Sequence, residues 1–589
     1  MKMTSSRLAP FVLIVCAAAC GGGSAVPPPV SDAPARVTAL ADAYVKDYLA
    51  AFPYHALALG APDVHPDQLA DHSLPALARW EAREDALLAD LGQIDAATLE
   101  GKPEANTYKF LQNQLQSARA FRVCRMELWN VSPTWTGWQG DFPLAAGQQA
   151  TSTPADQKNA LARWSQVPKY LDDEIANLKE GVRLGYTAPK HNVRTVVGMM
   201  DAMLKAPVSD SPFVQMAKPE MPEFRKQLEE LETMSIRPAI ARYRDYLRDS
   251  YLAGAREAIG VATNPDGPAC YNAAVKLHST VDMAPQAVHD LGKAQMARIR
   301  SEMVEIGRRS FGTPDPAKVL TAVKTDRKYL FKSRAELIAH AEAAVERARL
   351  AVPKWFGRVP KAPVIVEPYP AFLEQSAPGG QAVSPTPDGK PGKYMINAYD
   401  ATAQSKAGLE STAFHEAYPG HHLQVALALE KPGLHDISRF FFLSGFGEGW
   451  ALYSERLAYE MGLFSSDVDR LGLLSNEALR AGRLVVDSGM HALGWSRQEA
   501  IDYLLANTAE KESSVVSEID RYIAVPGQAT AYMIGNLEIR RIRTDAEQKL
   551  GPKFDIRVFH DLVLEDGSMP LWVLEEKVER WVTTRLAQK

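Results

Sequence analysis

Three of the thirteen histidines lie within eight residues, in the segment His415-Glu416-Ala417-Tyr418-Pro419-Gly420-His421-His422. Neutral imidazole is a preferred zinc ligand, and a carboxylate beside the metal can take a proton from water. A His-Glu pair followed by another histidine is therefore typical of zinc hydrolases. The segment predicts a metal site with His415 as a ligand and Glu416 as the general base.

The spacing of the histidines differs from that of a regular zinc helix, in which the two ligands are four residues apart. Six residues turn a helix through about 600°, and seven residues rise about 10 Å, so neither His421 nor His422 can share a metal with His415 on a regular helix. Pro419 cannot donate a helical hydrogen bond, and Gly420 tolerates unusual backbone angles. We expect a two-residue bulge that makes His421 the second ligand and leaves His422 next to the site or facing the substrate.

A third protein ligand is expected, because hydrolytic zinc keeps only one position open for water. The segment 445–455, Gly-Phe-Gly-Glu-Gly-Trp-Ala-Leu-Tyr-Ser-Glu, supplies Glu448, which follows His421 by 27 residues. A carboxylate among aromatic residues needs a partner, which favours a ligand over a solvated side chain. Glu455 lies two turns further along the same helix face and could orient a ligand histidine.

Arg483, Asp487 and His491 are spaced by four residues, so one helix face presents all three. Asp487 could hold His491 in one tautomer near the metal. The alternative is a structural row of ion pairs. Glycines at 489 and 494 are unusual in a surface helix and favour the functional interpretation.

The N-terminus predicts export. Residues 1–19 have basic residues followed by a short apolar run, too short to span a bilayer, and they read as a signal peptide. Cys20 follows three alanines, as in a bacterial lipobox, and residues 20–34 read as a lipidated, flexible tether. A plain secretory signal cleaved near Ala19 is the alternative. By resemblance to the sorting rules of Gram-negative bacteria, Gly21 rather than aspartate after the cysteine favours the periplasmic face of the outer membrane.

The rest of the chain predicts a mainly α, multi-helix, two-lobed protein, with a helical lobe over 35–355 and a catalytic lobe over 356–589. Residues 363–367 and 394–398 predict short strands that border the active-site cleft, with a loop over 377–392 between them. Apolar content of 46% supports a large core, and a net charge of −5 without basic runs argues against nucleic-acid binding.

Two further features concern the helical lobe. Cys124 and Cys270 are the cysteines left after processing, and in an oxidising compartment a disulfide is slightly favoured over two buried thiols. The aromatic stretch over 129–142 could line a cleft or fill the core as a loop.

Four stretches resemble the bacterial "domain of unknown function 885" family over essentially the mature chain: the histidine segment, 392–400, 480–495 and 521–535. The resemblance implies a mostly helical zinc peptidase, often a lipoprotein, with one zinc ion or another divalent metal. Gly-Glu-Gly-Trp-Ala is similar to a segment of zinc aminopeptidases whose glutamate is the third ligand, which corresponds to Glu448.

The remaining roles are expectations, of which that of Tyr532 comes from the resemblance, because related peptidases place a tyrosine after the metal helices. Tyr532 would stabilise the oxyanion, with His491 as the second choice. Arg521 would bind a substrate carboxylate, and Tyr394 and Asn397 would lie near the substrate together with Arg483.

The leading hypothesis is a membrane-tethered zinc metallopeptidase that acts on peptides in the cell envelope. A zinc amide or ester hydrolase of small molecules is one alternative. A non-catalytic metal-binding lipoprotein is another, and its closed site would need His422 or another residue as a fourth ligand. The sequence leaves the position of cleavage and the oligomeric state open.

Overall fold

The computed structural model describes residues 32–588 except 60, 63, 135, 371–373, 375–376 and 387–389. The predicted signal peptide and Cys20 lie outside the described residues. Helices make up 71% of the structure, and one three-stranded sheet accompanies them in the described part, so the predicted mainly α class with a small sheet is confirmed.

The helices of the first part of the chain are α1 Ala33–Ala51, α2 His55–Leu59, α3 Leu74–Leu91, α4 Glu104–Phe121, α5 Trp138–Gln148, α6 Pro154–Trp164, α7 Val167–Leu184, α8 Lys190–Lys205, α9 Pro212–Gln215, α10 Pro222–Leu231, α11 Arg237–Tyr246, α12 Leu252–Gly254, α13 Gly267–Ser279, α14 Pro285–Ile306, α15 Pro316–Thr325 and α16 Arg334–Ala351. The strands are β1 Val364–Pro368, β2 Gly380–Val383 and β3 Gly392–Ile396. The helices that follow are α17 Leu409–Glu416, α18 His421–Glu430, α19 Asp436–Phe440, α20 Ser444–Glu460, α21 Asp467–Ala492, α22 Arg497–Asn507, α23 Glu512–Ala524, α24 Ala531–Leu550, α25 Ile556–Leu564 and α26 Leu571–Ala587.

The sheet has the order β1-β3-β2, in which β1 runs parallel and β2 antiparallel to β3. The strands predicted at 363–367 and 394–398 correspond to β1 and β3, within two residues. The prediction that 377–392 is only a loop was wrong, because β2 lies inside it and pairs Ala382 with Tyr394. Its four residues are too few to show a clear alternation in the sequence.

Hydrophobic packing crosses the predicted boundary between residues 355 and 356. The largest core cluster draws residues from Ala33 to Val582. The glycines of α20 and α24 let these two helices meet closely: a Cβ added at Gly535 would lie 1.9 Å from the carbonyl oxygen of Gly445. Such a contact fixes the two helices at backbone distance.

The aromatic stretch over 129–142 belongs to the core. Trp129, Trp138 and Phe142 are buried; Trp138 begins helix α5, and Phe142 lies one turn further along it. Trp135 lies outside the described residues. Cys124 and Cys270 form a disulfide, as the sequence favoured, and it ties the chain after α4 to α13. None of the described helices combines the length and the apolar character needed to cross a membrane.

Candidate metal centre

The three predicted metal ligands converge. His415, His421 and Glu448 each offer one ligand atom, and these atoms all lie within 4.8 Å of one another. The Nε2 atoms of His415 and His421 lie 3.5 and 3.4 Å from Glu448 Oε2. Two ligands at ~2.0 Å from a tetrahedral zinc are about 3.3 Å apart. The observed spacing therefore fits a single tetrahedral metal ion.

The two histidines come from two helices rather than from one. Helix α17 ends at Glu416 and α18 begins at His421, so the predicted bulge within one helix was wrong. The chain turns back on itself here: a Cβ added at Gly420 would lie 1.9 Å from the carbonyl oxygen of His415. Trp450 Nε1 donates to the carbonyl of Pro419 at 3.1 Å and fixes the turn. This break, rather than a bulge, brings the rings of His415 and His421 to 4.8 Å between centroids.

Buried carboxylates orient and charge the site. His415 Nδ1 lies 2.8 Å from Glu455 Oε1, so its Nε2 is directed at the other ligands. Burial by itself would lower the pKa of His415, but hydrogen bonds with Glu448 and Glu455 outweigh burial and raise this pKa to about 9. Burial would likewise raise the pKa of Glu448, but His415 and His421 hold it well below its usual range. Without a metal, a proton on His415 therefore supplies positive charge that a cation would replace.

Glu416 lies between the ligand set and the sheet. Its Oε2 accepts from the backbone N–H of Ala382 at 2.8 Å, and its charge acts on His415. The Asn397 N–H donates to the Gly379 carbonyl, and the alternation of an antiparallel pair turns the N–H and C=O of Ala382 away from β3. The open edge of β2 therefore faces the predicted general base.

Tyr532 stands at the start of α24, near Glu448. Gly449 packs directly against Gly535, one helical turn after Tyr532. Burial raises the pKa of Tyr532, and the charge of Glu448 raises it further, so the hydroxyl keeps its proton and can donate.

His491 lies apart from this group. Its ring nitrogens face backbone groups: Val261 N–H donates to Nδ1 at 3.1 Å, and Nε2 lies 2.9 Å from the Tyr522 carbonyl. Burial lowers the pKa of His491 to about 4, so it is a neutral core histidine. The prediction that Asp487 holds His491 was wrong. Asp487 accepts instead from the Tyr271 hydroxyl at 2.6 Å and from the Gly527 N–H at 3.1 Å. The helix face predicted from the spacing exists, but long-range partners occupy it.

Three further predicted residues take structural positions around the sheet. His422 Nε2 lies 2.9 Å from the carbonyl of Ala362, so His422 faces the chain before β1 and not the ligand set. Asn397 Nδ2 donates to two loop carbonyls, those of Glu374 and Ala377. Tyr394 is fully buried on β3, where the charge of Glu416 contributes to raising its pKa, after burial.

Arg483 and Arg521 meet in a buried cluster. Each guanidinium donates to Glu518 Oε2, at 2.8 and 2.9 Å respectively. The Cζ atom of Arg483 lies 4.4 Å from the centroid of the Tyr532 ring. The predicted pair of arginines therefore adjoins the tyrosine beside the ligand set.

Sequence reasoning missed several contributors. Ser411 donates to Glu455, Arg480 Nη2 lies 3.9 Å from Glu455 Oε1, and Glu518 joins the two arginines. Phe442 exposes 46% of its surface beside the His421 ring, 6.1 Å away between centroids. Arg480 lies in the stretch 480–495 that carries the family resemblance, and Phe442 is one of the aromatic residues near Glu448 in the sequence, whereas Ser411 and Glu518 gave no signal.

Comparison with known proteins assigns the sequence to a family. A family model described as "Bacterial protein of unknown function (DUF885)" matches residues 53–578. The chain belongs to this family. The crystal structure of a candidate lipoprotein from Colwellia psychrerythraea is similar, with a TM-score of 0.87 and 27% identity over 94% of this chain and 100% of that one. A candidate lipoprotein of unknown function from Shewanella oneidensis shares the fold, with a TM-score of 0.71 and 19% identity over 92% and 99% of the two chains. No curated protein matches the sequence.

Proposed function

We propose that this DUF885 protein is a zinc metallopeptidase of the cell envelope. The observation that carries the proposal is the ligand set: two histidine nitrogens lie 3.5 and 3.4 Å from one oxygen of Glu448, and the charge of Glu416 acts on His415. Zinc held by such residues supplies Lewis acidity, which lowers the pKa of water and polarises a carbonyl group.

The side chains of the site have roles that follow from their positions. Glu416 accepts a proton from the attacking water and passes it to the leaving amine. Ala382 N–H holds the carboxylate of Glu416 in place. The Tyr532 hydroxyl donates to the oxyanion as it forms. The carbonyl of Ala382, which is also turned away from β3, can accept from an extended peptide at this edge, and this favours peptides over small esters or amides.

The donor set also bears on the alternative of a closed, structural zinc site. Such a site needs four protein ligands, and the fourth would be His422 or another residue. Within the described residues, the group at this place consists of His415, His421 and Glu448, while His422 is bound to Ala362. Three ligands with a neighbouring carboxylate base support a catalytic site.

The proposal includes the predicted two-lobed, cleft-containing architecture and an envelope location, with lipidation at Cys20 and attachment to the outer membrane. Its support is the sequence of the N-terminus together with two similar structures that are described as candidate lipoproteins. Cys20→Ser should move the protein from the membrane fraction to the soluble periplasmic fraction.

The catalytic proposal is tested by peptide profiling. The purified chain is first assayed for stoichiometric metal by plasma mass spectrometry, then incubated with a diverse peptide mixture and with a panel of esters and amides. Glu416→Gln should abolish cleavage while retaining the metal. Glu430→Gln is the matched control, since Glu430 also accepts from backbone N–H groups, at 2.8 Å, but away from the site. Absence of bound metal, or peptide cleavage by Glu416→Gln at the wild-type rate, would refute the proposal.

A further inference from the structure

The buried cluster formed by Arg483, Arg521, Glu518 and Tyr522, called here the arginine cluster, has more cationic than anionic groups. Arg483 Nε donates to the Tyr522 hydroxyl at 2.7 Å, and both arginines share the single carboxylate of Glu518. Arg521 also donates, through Nη1, to the amide oxygen of Gln528, which is a neutral side chain.

Within the arginine cluster, two guanidinium groups face one carboxylate, that of Glu518. Burial raises the pKa of Asp487 to about 7, so this carboxyl is only partly ionised at neutral pH. The two arginines and Glu518 remain charged, because their mutual contacts outweigh burial. These contacts hold the pKa of Glu518 low and the pKa values of both arginines high. The arginine cluster therefore carries a net positive charge.

One donor of the arginine cluster has no partner. Arg483 is 6% exposed, and its Nη1 is buried without a hydrogen-bond partner in the part of the chain that the structure describes. A buried guanidinium nitrogen left unpaired is costly, so an acceptor that arrives with a ligand would be bound strongly.

Arg483 lies on the side of the metal centre that α21 and α24 form. The guanidinium of Arg483 stacks over the ring of Tyr532, and α24 meets α20 at Gly449, the residue after Glu448. One turn before Arg483 on α21, Arg480 approaches Glu455, the carboxylate behind His415. Two separate contacts thus place the arginine cluster next to the metal ligands.

We propose that Arg483, supported by Arg521, binds the terminal carboxylate of a peptide and restricts cleavage to bonds near its carboxyl end. A planar guanidinium binds a carboxylate through two parallel hydrogen bonds, and an amide-capped terminus cannot replace that anion. The inference rests on the proposed peptidase function, because it assigns the substrate class of the same site.

The test compares three tetrapeptide libraries: free carboxyl ends, amidated ends, and amidated ends with glutamate as the last residue. Binding to the zinc-loaded Glu416→Gln chain is measured by retention and mass spectrometry, so this readout does not depend on turnover. Cleavage by the wild-type chain is measured in parallel. We expect the free acids to be retained and cleaved roughly 10- to 100-fold better than either amidated library, the range of a charge-assisted pair. The products should be single residues or dipeptides from the carboxyl end.

Variants of Arg483 connect this preference to the arginine cluster. Arg483→Gln should bring the ratio of acid to amide close to one. Arg483→Lys keeps the charge but not the paired donors, so it should reduce the ratio of acid to amide severalfold. This variant replaces Arg483→Gln in the test if circular dichroism shows that the glutamine variant does not fold. Arg497→Gln is the matched control, since Arg497 donates at 2.7 Å to Asp520, which lies on α23 with Glu518 but outside the arginine cluster. The ratio of acid to amide for this variant should equal that of the wild type.

The outcomes separate the two proposals. Selective retention of free acids without any cleavage would refute the peptidase and leave the carboxylate subsite standing. Cleavage of acids and amides at equal rates would support the peptidase and overturn the subsite. The subsite would also be overturned if the glutamate-ended amides were retained as well as the free acids, or if no library were retained. A preference for free acids that survives both Arg483 variants would overturn it too.

Discussion

Replacing Asp487 by asparagine should make the protein more stable at neutral pH and change how stability depends on pH. Asp487 is fully buried, and its Oδ1 accepts from the Tyr271 hydroxyl and the Gly527 N–H. Its Oδ2 has no partner within the described residues. Burial raises its pKa from 3.8 to about 7, although both hydrogen bonds oppose the shift.

The magnitude follows from the difference between the two pKa values. The span from 3.8 to about 7 corresponds to roughly 4 kcal/mol at ~1.4 kcal/mol per pKa unit. Because the folded-state pKa of Asp487 is the higher one, its protonated form stabilises the fold fully below pH 3.8. That contribution is lost as the pH rises through 7. Asparagine keeps the Oδ1 acceptor and does not titrate, but it buries an unpaired NH₂ at a cost of ~1–3 kcal/mol. The net gain expected at pH 8 is therefore about 1–3 kcal/mol.

The assay is urea unfolding of Asp487→Asn and wild type at pH 4.5, 6 and 8, followed by circular dichroism. The variant should be equal to or less stable than wild type at pH 4.5 and should become more stable between pH 6 and 8. Asp502→Asn, on the exposed face of α22, is the control and should give a small difference that does not change with pH. A difference for Asp487→Asn that is constant from pH 4.5 to 8 would show that this carboxyl does not titrate as the burial argument requires.

Three further predictions concern the metal, the helix packing and the disulfide. Glu455→Gln should weaken zinc binding ~10- to 100-fold in a chelator competition, because the ligand histidine loses its anionic partner; unchanged affinity would contradict this. Gly535→Ala should destabilise the protein by ~1–3 kcal/mol or more, since its Cβ meets a backbone oxygen at 1.9 Å, whereas Gly198→Ala, in open space, should stabilise it by ~0.5–1 kcal/mol. Removing Cys124 and Cys270 together should cost up to ~5 kcal/mol, given their separation of 146 residues, and a thiol count on denatured, unreduced protein should find neither free.

The sequence was sufficient where local chemistry decides the structure. Ser333 and Ser496 are each followed three residues later by a glutamate, a pattern that predicts the start of a helix. Each serine accepts from the backbone N–H of that glutamate and caps the start of α16 or α22. The grouping of His415, His421 and Glu448 could be predicted because hydrolytic zinc requires three protein ligands. The six-residue spacing of the two histidines, which a regular helix cannot accommodate at one metal, also indicated a break in the helix.

The sequence was insufficient where distant segments decide the structure. The spacing of Asp487 and His491 was recognised, but their partners Tyr271 and Val261 lie more than 200 residues away along the chain. Strand β2 exists because β3 offers it a partner, and four residues carry too little pattern to show this. Glu518 became visible only through the two arginines that converge on it.

The hydrogen bond from Ala382 to Glu416 has a consequence for how this family can diversify. The group that steadies the carboxylate is a main-chain N–H, which every amino acid except proline provides. Side chains along β2 can therefore change without disturbing the position of the base. Relatives could then differ in the residues that border this strand while the carboxylate of the proposed base keeps its place.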